Sequence, residues 1–223
     1  MISLIESGGK RLWRDITRSQ IRGQVGVDLS FGCITAKPEI ETIANAATRI
    51  ASDPAKVFEL MKKVSKIEGA ALNLRSILLE MIVAHLLKQD GYDIEIRQKV
   101  TDSEGNAAEI DVRAEKRTDW IGCECKAKGP GVLVSAQEIE DWLDRPLPRI
   151  KDYLKRIGGA SETRSFRFYS STDYTDDARN LIERVRSTHR RQPIRFLSAK
   201  EILSELRARK ETALVDIFVE QFT

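Results

Sequence analysis

The chain has 223 residues, 41% of them hydrophobic and 32% charged, with a formal net charge of +3. This is ordinary globular composition, enough for a substantial core in one domain with an appendage or in two small domains. No apolar run approaches the roughly 20 residues of a membrane span, and Met1 to Lys10 lack the apolar stretch of a signal peptide.

Residues 7–22 read as a helix, with Lys10, Arg14, Arg18 and Arg22 spaced four apart along one side and Leu12, Trp13 and Ile16 on the packed side. Such a basic stripe can contact backbone phosphates, or it can be a solvated helix face. Val25 to Thr35 reads as a short strand-like or irregular stretch broken by Gly26 and Gly32. Pro38 begins a helical segment reaching about Ala51. Asp53-Pro54 restarts it, Asp as N-cap and Pro at the first helical position, and it runs to Lys66 before Glu68-Gly69. Residues 1–69 are thus expected to be a mostly helical N-terminal region, and no motif there indicates its role.

From residue 70 the pattern changes. A helix is expected over about Ala71–Gln89, closed by Asp90-Gly91, and then strands near Ile94–Thr101, Ala108–Glu115 and Trp120–Ala127. The polar turn Asp102-Ser-Glu-Gly-Asn106 makes the first two strands a hairpin. After Gly129-Pro130-Gly131 comes a helix from about Ser135 to Arg156, kinked or split by Pro146 and Pro148. A strand at Ser165–Ser170, a helix near Thr175–Ser187, a strand at Ile194–Leu197 and helices from Ala199 complete residues 70–223. The order predicts an α/β domain, a mixed central sheet flanked by helices.

The chemistry concentrates in residues 109–126. Side chains alternate between the faces of a strand, so Glu109, Asp111, Arg113 and Glu115 share one face while Ile110, Val112 and Ala114 take the other. In the next strand Glu124 and Lys126 share a face, opposite Ile121, Cys123 and Cys125. An Asp, a Glu and a Lys thereby converge on one patch. Two carboxylates can hold a hard divalent cation, and an adjacent ammonium can position water, a set suited to metal-dependent phosphodiester hydrolysis.

Glu80 interrupts the apolar run Ile77-Leu-Leu-Glu-Met-Ile-Val-Ala84. A carboxylate buried there needs a compensating cation or hydrogen bonds; the alternative is an exposed residue at the edge of the apolar face. Charge is also uneven along the chain. Residues 145–223 hold 17 Lys/Arg against 11 Asp/Glu, and the preceding residues hold 20 against 23. A basic surface around an acidic centre suits a phosphate polymer, although ordinary surface charge explains it equally.

Glu80, then Asp111, then Glu124-Cys125-Lys126, in the order helix, strand, hairpin, strand, resembles the PD-(D/E)xK nuclease superfamily, in particular the Mrr-like restriction endonucleases and their Holliday-junction-resolvase relatives. Leu86-Leu-Lys-Gln-Asp-Gly-Tyr-Asp-Ile-Glu95 resembles that group's helix-to-strand passage. Phe168-Tyr-Ser-Ser-Thr-Asp-Tyr-Thr-Asp-Asp-Ala178 and Ile194-Arg-Phe-Leu-Ser-Ala-Lys-Glu-Ile-Leu203 resemble its later strands and helices. The likeness spans roughly residues 72–208 and departs at Ile110, where a Pro gives the superfamily its name.

The resemblance implies a restriction-endonuclease-like core and a Mg²⁺-dependent endonuclease, with Mn²⁺ as a substitute ion and DNA as partner, in restriction, defence or repair. It implies Asp111, Glu124 and the Cys125 carbonyl as metal ligands, Glu80 reaching the metal directly or through water, and Lys126 orienting the attacking water. It further implies products with a 5′-phosphate and a 3′-hydroxyl. A homodimer is compatible with cutting two strands. The alternatives are a catalytically silent module that binds DNA or protein, and a nuclease directed at RNA or junctions.

Other residues give weaker signals. Cys123-Glu-Cys125 lacks the further Cys pair or His of a structural zinc site, and with Cys33 gives no disulfide framework, which points to a reducing cytoplasm. His85 reads as a packed helix residue. Gln137 and Trp142 follow the site on a helix that can line a substrate groove. Ser170, Ser171 and Thr172 can donate to a phosphate or cap the following helix. Arg184, Arg186, Arg190 and Arg191 form a basic cluster.

Overall fold

The structure, a computed structural model, describes residues 4–7, 10–13, 54–55, 58, 70–157, 163–188 and 194–223. The chain divides into two compact units, Met1–Met81 and Ile82–Thr223.

In the first unit, β1 (Leu4–Ser7) and β2 (Lys10–Trp13) pair antiparallel, Ser7 opposite Lys10. This corrects the helix expected over residues 7–22, because Lys10 to Trp13 are strand. The sequence signal that outweighs the four-residue spacing is Gly8-Gly9, a hairpin dipeptide between two short runs. Arg14, Arg18 and Arg22 lie outside the described residues, as does the stretch 25–35. Pro54, Ala55 and Phe58 are helical, as the Asp53-Pro54 start predicts.

Helix α1 (Ala70–Gln89) runs from the first unit into the second. It ends where Gly91 adopts a φ of 83° and the Tyr92 N–H donates to the Leu87 carbonyl, the left-handed closure that glycine permits. Three strands follow: β3 (Asp93–Thr101), β4 (Ala107–Lys116) and β5 (Asp119–Lys126). The Asp102 carboxylate accepts the N–H groups of Glu104 and Asn106 and so folds the turn between β3 and β4.

Pro146 splits the long helix expected over 135–156. Helix α2 (Ala136–Asp144) ends before it, and α3 (Pro146–Ile157) begins on it, since Pro suits the first turn of a helix and not its interior. Then come β6 (Thr163–Ser170), α4 (Asp176–Thr188), β7 (Ile194–Leu197), α5 (Ala199–Ala208) and α6 (Thr212–Phe222).

The five strands β3 to β7 form one sheet in sequence order. Its first three strands are antiparallel, and β5, β6 and β7 are parallel. The α/β architecture with a mixed, helix-flanked sheet is therefore as expected. Ile139, Trp142, Leu147, Ile150, Leu154, Leu181 and Ile182 from α2, α3 and α4 pack in one core with Trp120, Phe166, Phe168 and Phe196. On the alternate strand positions Val112, Ala114, Cys123, Tyr169 and Leu197 are also buried. There the charges of Glu205 on α5 and of Arg209 after it act on Tyr169 or Asp90. Among the described residues no helix is long and apolar enough to cross a membrane.

Candidate active site at the parting of β4 and β5

Strand β4 stays paired with β3 from Asp93 opposite Glu115 to Thr101 opposite Ala107. Its ladder with β5 is shorter, running from Lys116 opposite Asp119 only to Val112 opposite Cys123. Strand β5, meanwhile, remains on β6 to its last residue, Lys126 opposite Ser170. The two central strands thus part after Val112 and Cys123. Asp111 is the first residue of β4 beyond the parting, and Glu124 is the first of β5.

A backbone N–H left at such a parting needs an acceptor. Asp111 supplies it: the Cys125 N–H donates to Asp111 Oδ2 at 2.7 Å. A carboxylate oxygen takes the place of a ladder carbonyl and is held at the edge of the opening. Cys125 contributes its main chain here, while its side chain is buried.

Glu124 is largely buried, with 14% of its side chain exposed, and its Oε1 accepts from Lys126 Nζ at 3.2 Å. Burial, with the negative charge of Glu109 added, pushes the Glu124 carboxyl above its ordinary value, and Lys126 only partly offsets this. Burial alone would depress the Lys126 ammonium. The carboxylates of Glu124, Asp111 and Glu138 more than compensate and hold it above its ordinary value. Lys126 is therefore a lasting cation, suited to donate hydrogen bonds and balance charge rather than to accept a proton.

In the paired part of β5, before the parting, the packing is aromatic. Trp120 and Phe166 meet edge to face at 5.7 Å between ring centroids. A Cβ on Gly122 would lie 2.7 Å from the Trp120 ring, so the ring can cover this position only because it is glycine. Trp142 on α2 likewise meets Phe168 edge to face, so it packs.

The loop leaving Lys126 is tied down by hydroxyls. Ser171 Oγ accepts the Lys128 N–H at 2.8 Å, and Thr172 Oγ1 donates to the Val132 carbonyl at 2.7 Å. Ser170, Ser171 and Thr172 are all buried; Ser170 Oγ accepts the Thr172 N–H, and the other two hydroxyls serve the loop. Helix α2 starts with a capping box between Ser135 and Glu138, and Glu138 also pairs with Lys128 at 2.5 Å. Glu138 was not among the expected site residues, although Ser135-x-x-Glu138 is a legible capping signature. Gln137 lies on the exposed side of α2 and donates to Asp141.

Glu80 is 3% exposed, so the reading of an edge residue in water does not hold. It belongs to the first unit, and Asp111, Glu124 and Lys126 to the second. Lys10, on β2, also lies in the first unit.

Among the described residues no group of three or more His, Cys, Asp or Glu is arranged to hold a metal ion. The parting offers instead two carboxylates, one of them buried beside a further acid and lacking full compensation. That uncompensated negative charge is what a divalent cation would balance. The competing sites are weaker. Cys123 is buried and its thiol is pushed up to about 12, which makes it unreactive. Cys33, Arg190 and Arg191 lie outside the described residues. His85 Nε2 lies 3.0 Å from Glu211 Oε1, and Arg186 pairs with Glu183; neither set contains a nucleophile and base pair.

No family model and no curated protein matches the chain. Among solved structures it is similar to the Protein of Unknown Function AF1548, with 17% identity and a TM-score of 0.41, over 60% of this chain and 76% of that one. It is also similar to the DNA modification-dependent restriction endonuclease AspBHI, with 15% identity and a TM-score of 0.34, over 75% of this chain and 40% of that one. These likenesses are too low to carry a functional argument, which rests on the residues themselves.

Proposed function

We propose that the chain is a metal-dependent phosphodiesterase that cuts nucleic acid internally, with DNA as its substrate. The observation that supports this reading is the parting of β4 and β5, which gathers Asp111, Glu124 and Lys126 at one opening in the sheet. Asp111 and Glu124, with the Cys125 carbonyl, would hold Mg²⁺, for which Mn²⁺ can substitute, and Glu80 is proposed as a further acidic group of the centre. When bound, the ion supplies Lewis-acid polarisation of the phosphoryl oxygen and lowers the pKa of bound water.

The chain's own residues do the rest. Asp111 keeps its place because one oxygen is fixed by the Cys125 N–H. Lys126, held as an ammonium by the acids around it, orients the attacking water and balances charge growing on the phosphate. The water oxygen bonds to phosphorus and the bond to the 3′ oxygen breaks, leaving a 5′-phosphate and a 3′-hydroxyl. Two copies acting together would cut both strands of a duplex, and the role proposed for them is restriction, defence or repair in the cytoplasm.

A second reading is favoured by one feature. The Glu124–Lys126 ion pair offsets part of the carboxylate's charge without a metal, as a catalytically silent module binding DNA or protein would need. Incubating the purified chain with plasmid, single strands, junctions and RNA, in Mg²⁺, Mn²⁺ or EDTA, separates the two. Cleavage lost in EDTA and in Lys126→Ala supports the nuclease. Binding without cleavage in either metal supports the silent module, and preference for RNA or junctions redirects the substrate.

A further inference from the structure

The loop that leaves β5 holds apolar side chains out in water. Residues 127–134, Ala-Lys-Gly-Pro-Gly-Val-Leu-Val, follow directly on Lys126 and contain one charge, Lys128, and no acid. The Val132 N–H donates to the Gly129 carbonyl at 3.1 Å, and Gly131 has a φ of 75°. This is a type II turn, with Pro130 and Gly131 at the two central positions that favour those residues. The stem on either side is fixed. Ser171 Oγ accepts the Lys128 N–H, and Thr172 Oγ1 donates to the Val132 carbonyl. Val134 is fully buried and bridges Tyr174, its N–H donating to the Asp173 carbonyl and its carbonyl accepting the Thr175 N–H. The tip nevertheless stands open. Val132 is 51% exposed and Leu133 45%, and a Cβ on Gly131 would meet nothing within 4 Å.

Single apolar residues are common on protein surfaces. Among the described residues the other large exposed hydrophobics, Ile157 and Val219, stand singly on α3 and α6, whereas Val132 and Leu133 adjoin on a pinned loop. The position of the loop indicates its occupant. Strand β5 runs parallel to β6 as far as Lys126 opposite Ser170, so the loop springs from the end of the sheet that carries Lys126. Val132 lies six residues beyond Lys126, a reach of at most about 20 Å, or about six base steps of a duplex at roughly 3.4 Å each. A nucleic acid with a phosphodiester at Lys126 thus has neighbouring bases within reach of the tip. An acid-free loop does not repel the strand, and its uncharged apolar tip suits bases rather than phosphates. Leu and Pro are among the side chains that enter between base steps and unstack them. We propose that Pro130–Leu133 is a wedge, Val132 and Leu133 entering the base stack beside the phosphodiester at Lys126 and opening one step. The inference deepens the nuclease reading and rests on it.

The test is binding, in EDTA so that no cut occurs, of a short labelled DNA duplex and of the same duplex with one central mismatch. Wild type, the double variant Val132→Ser/Leu133→Ser and Leu133→Met are compared across a range of salt, with melting temperatures of each. Both side chains are exposed, so the double variant should melt as wild type does. A mismatch lowers the cost of unstacking, so wild type should bind the mismatched duplex about tenfold more tightly than the intact one. The double variant should bind the two duplexes equally. Its slope of log Kd against log salt should match wild type, because no phosphate contact is removed. Leu133→Met keeps an apolar wedge and should retain the preference. The same preference in wild type and the double variant, or none in wild type, would overturn the proposal while leaving the nuclease reading in place. So would a dimeric wild type and a monomeric double variant with the same DNA preference, which would assign the tip to a second copy. A wild type that neither binds nor cuts any nucleic acid would remove the nuclease reading, and this proposal with it.

Discussion

The two ends of the β4–β5 pair make opposite use of the same backbone. Toward the turn, from Lys116 and Asp119 to Val112 and Cys123, the ladder is closed, and Trp120 lies across Gly122 against Phe166. Beyond Cys123 the strands separate, and a side chain, Asp111, takes an N–H that a ladder carbonyl would otherwise accept. The closed half is held by apolar burial and edge-to-face rings. The open half holds charge: a buried carboxylate, a raised ammonium and two further acids. The fold is thus anchored at one end of the pair so that the other can remain open and charged. Stability and chemistry should then respond to different residues along the same two strands.

The largest expected effect on stability lies in the closed half. Gly122→Val would drive branched carbons into the Trp120 ring, already 2.7 Å from a single Cβ. Overpacking of this kind costs about 3 kcal/mol, and denaturant unfolding measures it. A Gly122→Val protein as stable as wild type would show that the ring moves freely and is not held by packing.

In the open half, Asp111→Ala leaves the Cys125 N–H without its acceptor, at a cost of about 2 kcal/mol. Asp111→Asn keeps an oxygen there and should recover most of that loss in the same unfolding measurement. Equal stability of the Ala and Asn variants would mean that the bond across the parting does not hold the strands.

A smaller effect concerns pH. The folded-state carboxyl of Glu124 is raised above its ordinary value of 4.5, with burial as the first cause. Its contribution to stability is then complete below that value and is lost as pH rises through the raised one. In metal-free buffer Glu124→Gln should lack this loss, so its stability relative to wild type should improve from acid to neutral pH. Parallel stability profiles for the two proteins would place Glu124 in water.

Much of this arrangement is legible in the sequence, for local reasons. The strand Ile194–Leu197 has the expected ends, and β3, β4 and β5 lie within a residue of theirs, because alternation and the Asp102–Asn106 turn are short-range signals. The apolar run around Glu80 leaves burial and an exposed edge both open, and the structure buries it. The division into α2 and α3 follows from Pro146 alone.

What escaped depends on contacts between distant residues or on backbone that a residue's identity does not reveal. Nothing in Asp111 itself says that its oxygen will meet the Cys125 N–H. Lys128 and Glu138 meet only once the loop folds back, and Gly122 matters because of the Trp120 and Phe166 rings above it. Arg97, within β3, has a φ of 56° that a glycine would have advertised. Near the start of the chain, the spacing of basic residues outweighed Gly8-Gly9 in the helix expectation, yet Lys10–Trp13 pairs as a strand.

The central claim is that the parting of β4 and β5 is a phosphodiester-cleaving centre built on Asp111. It is tested most directly by plasmid cleavage in Mg²⁺ with wild type and Asp111→Asn side by side, their melting temperatures compared. The account predicts that the two proteins are similarly stable, that wild type cuts, and that Asp111→Asn does not. Cleavage by Asp111→Asn at the wild-type rate would contradict it.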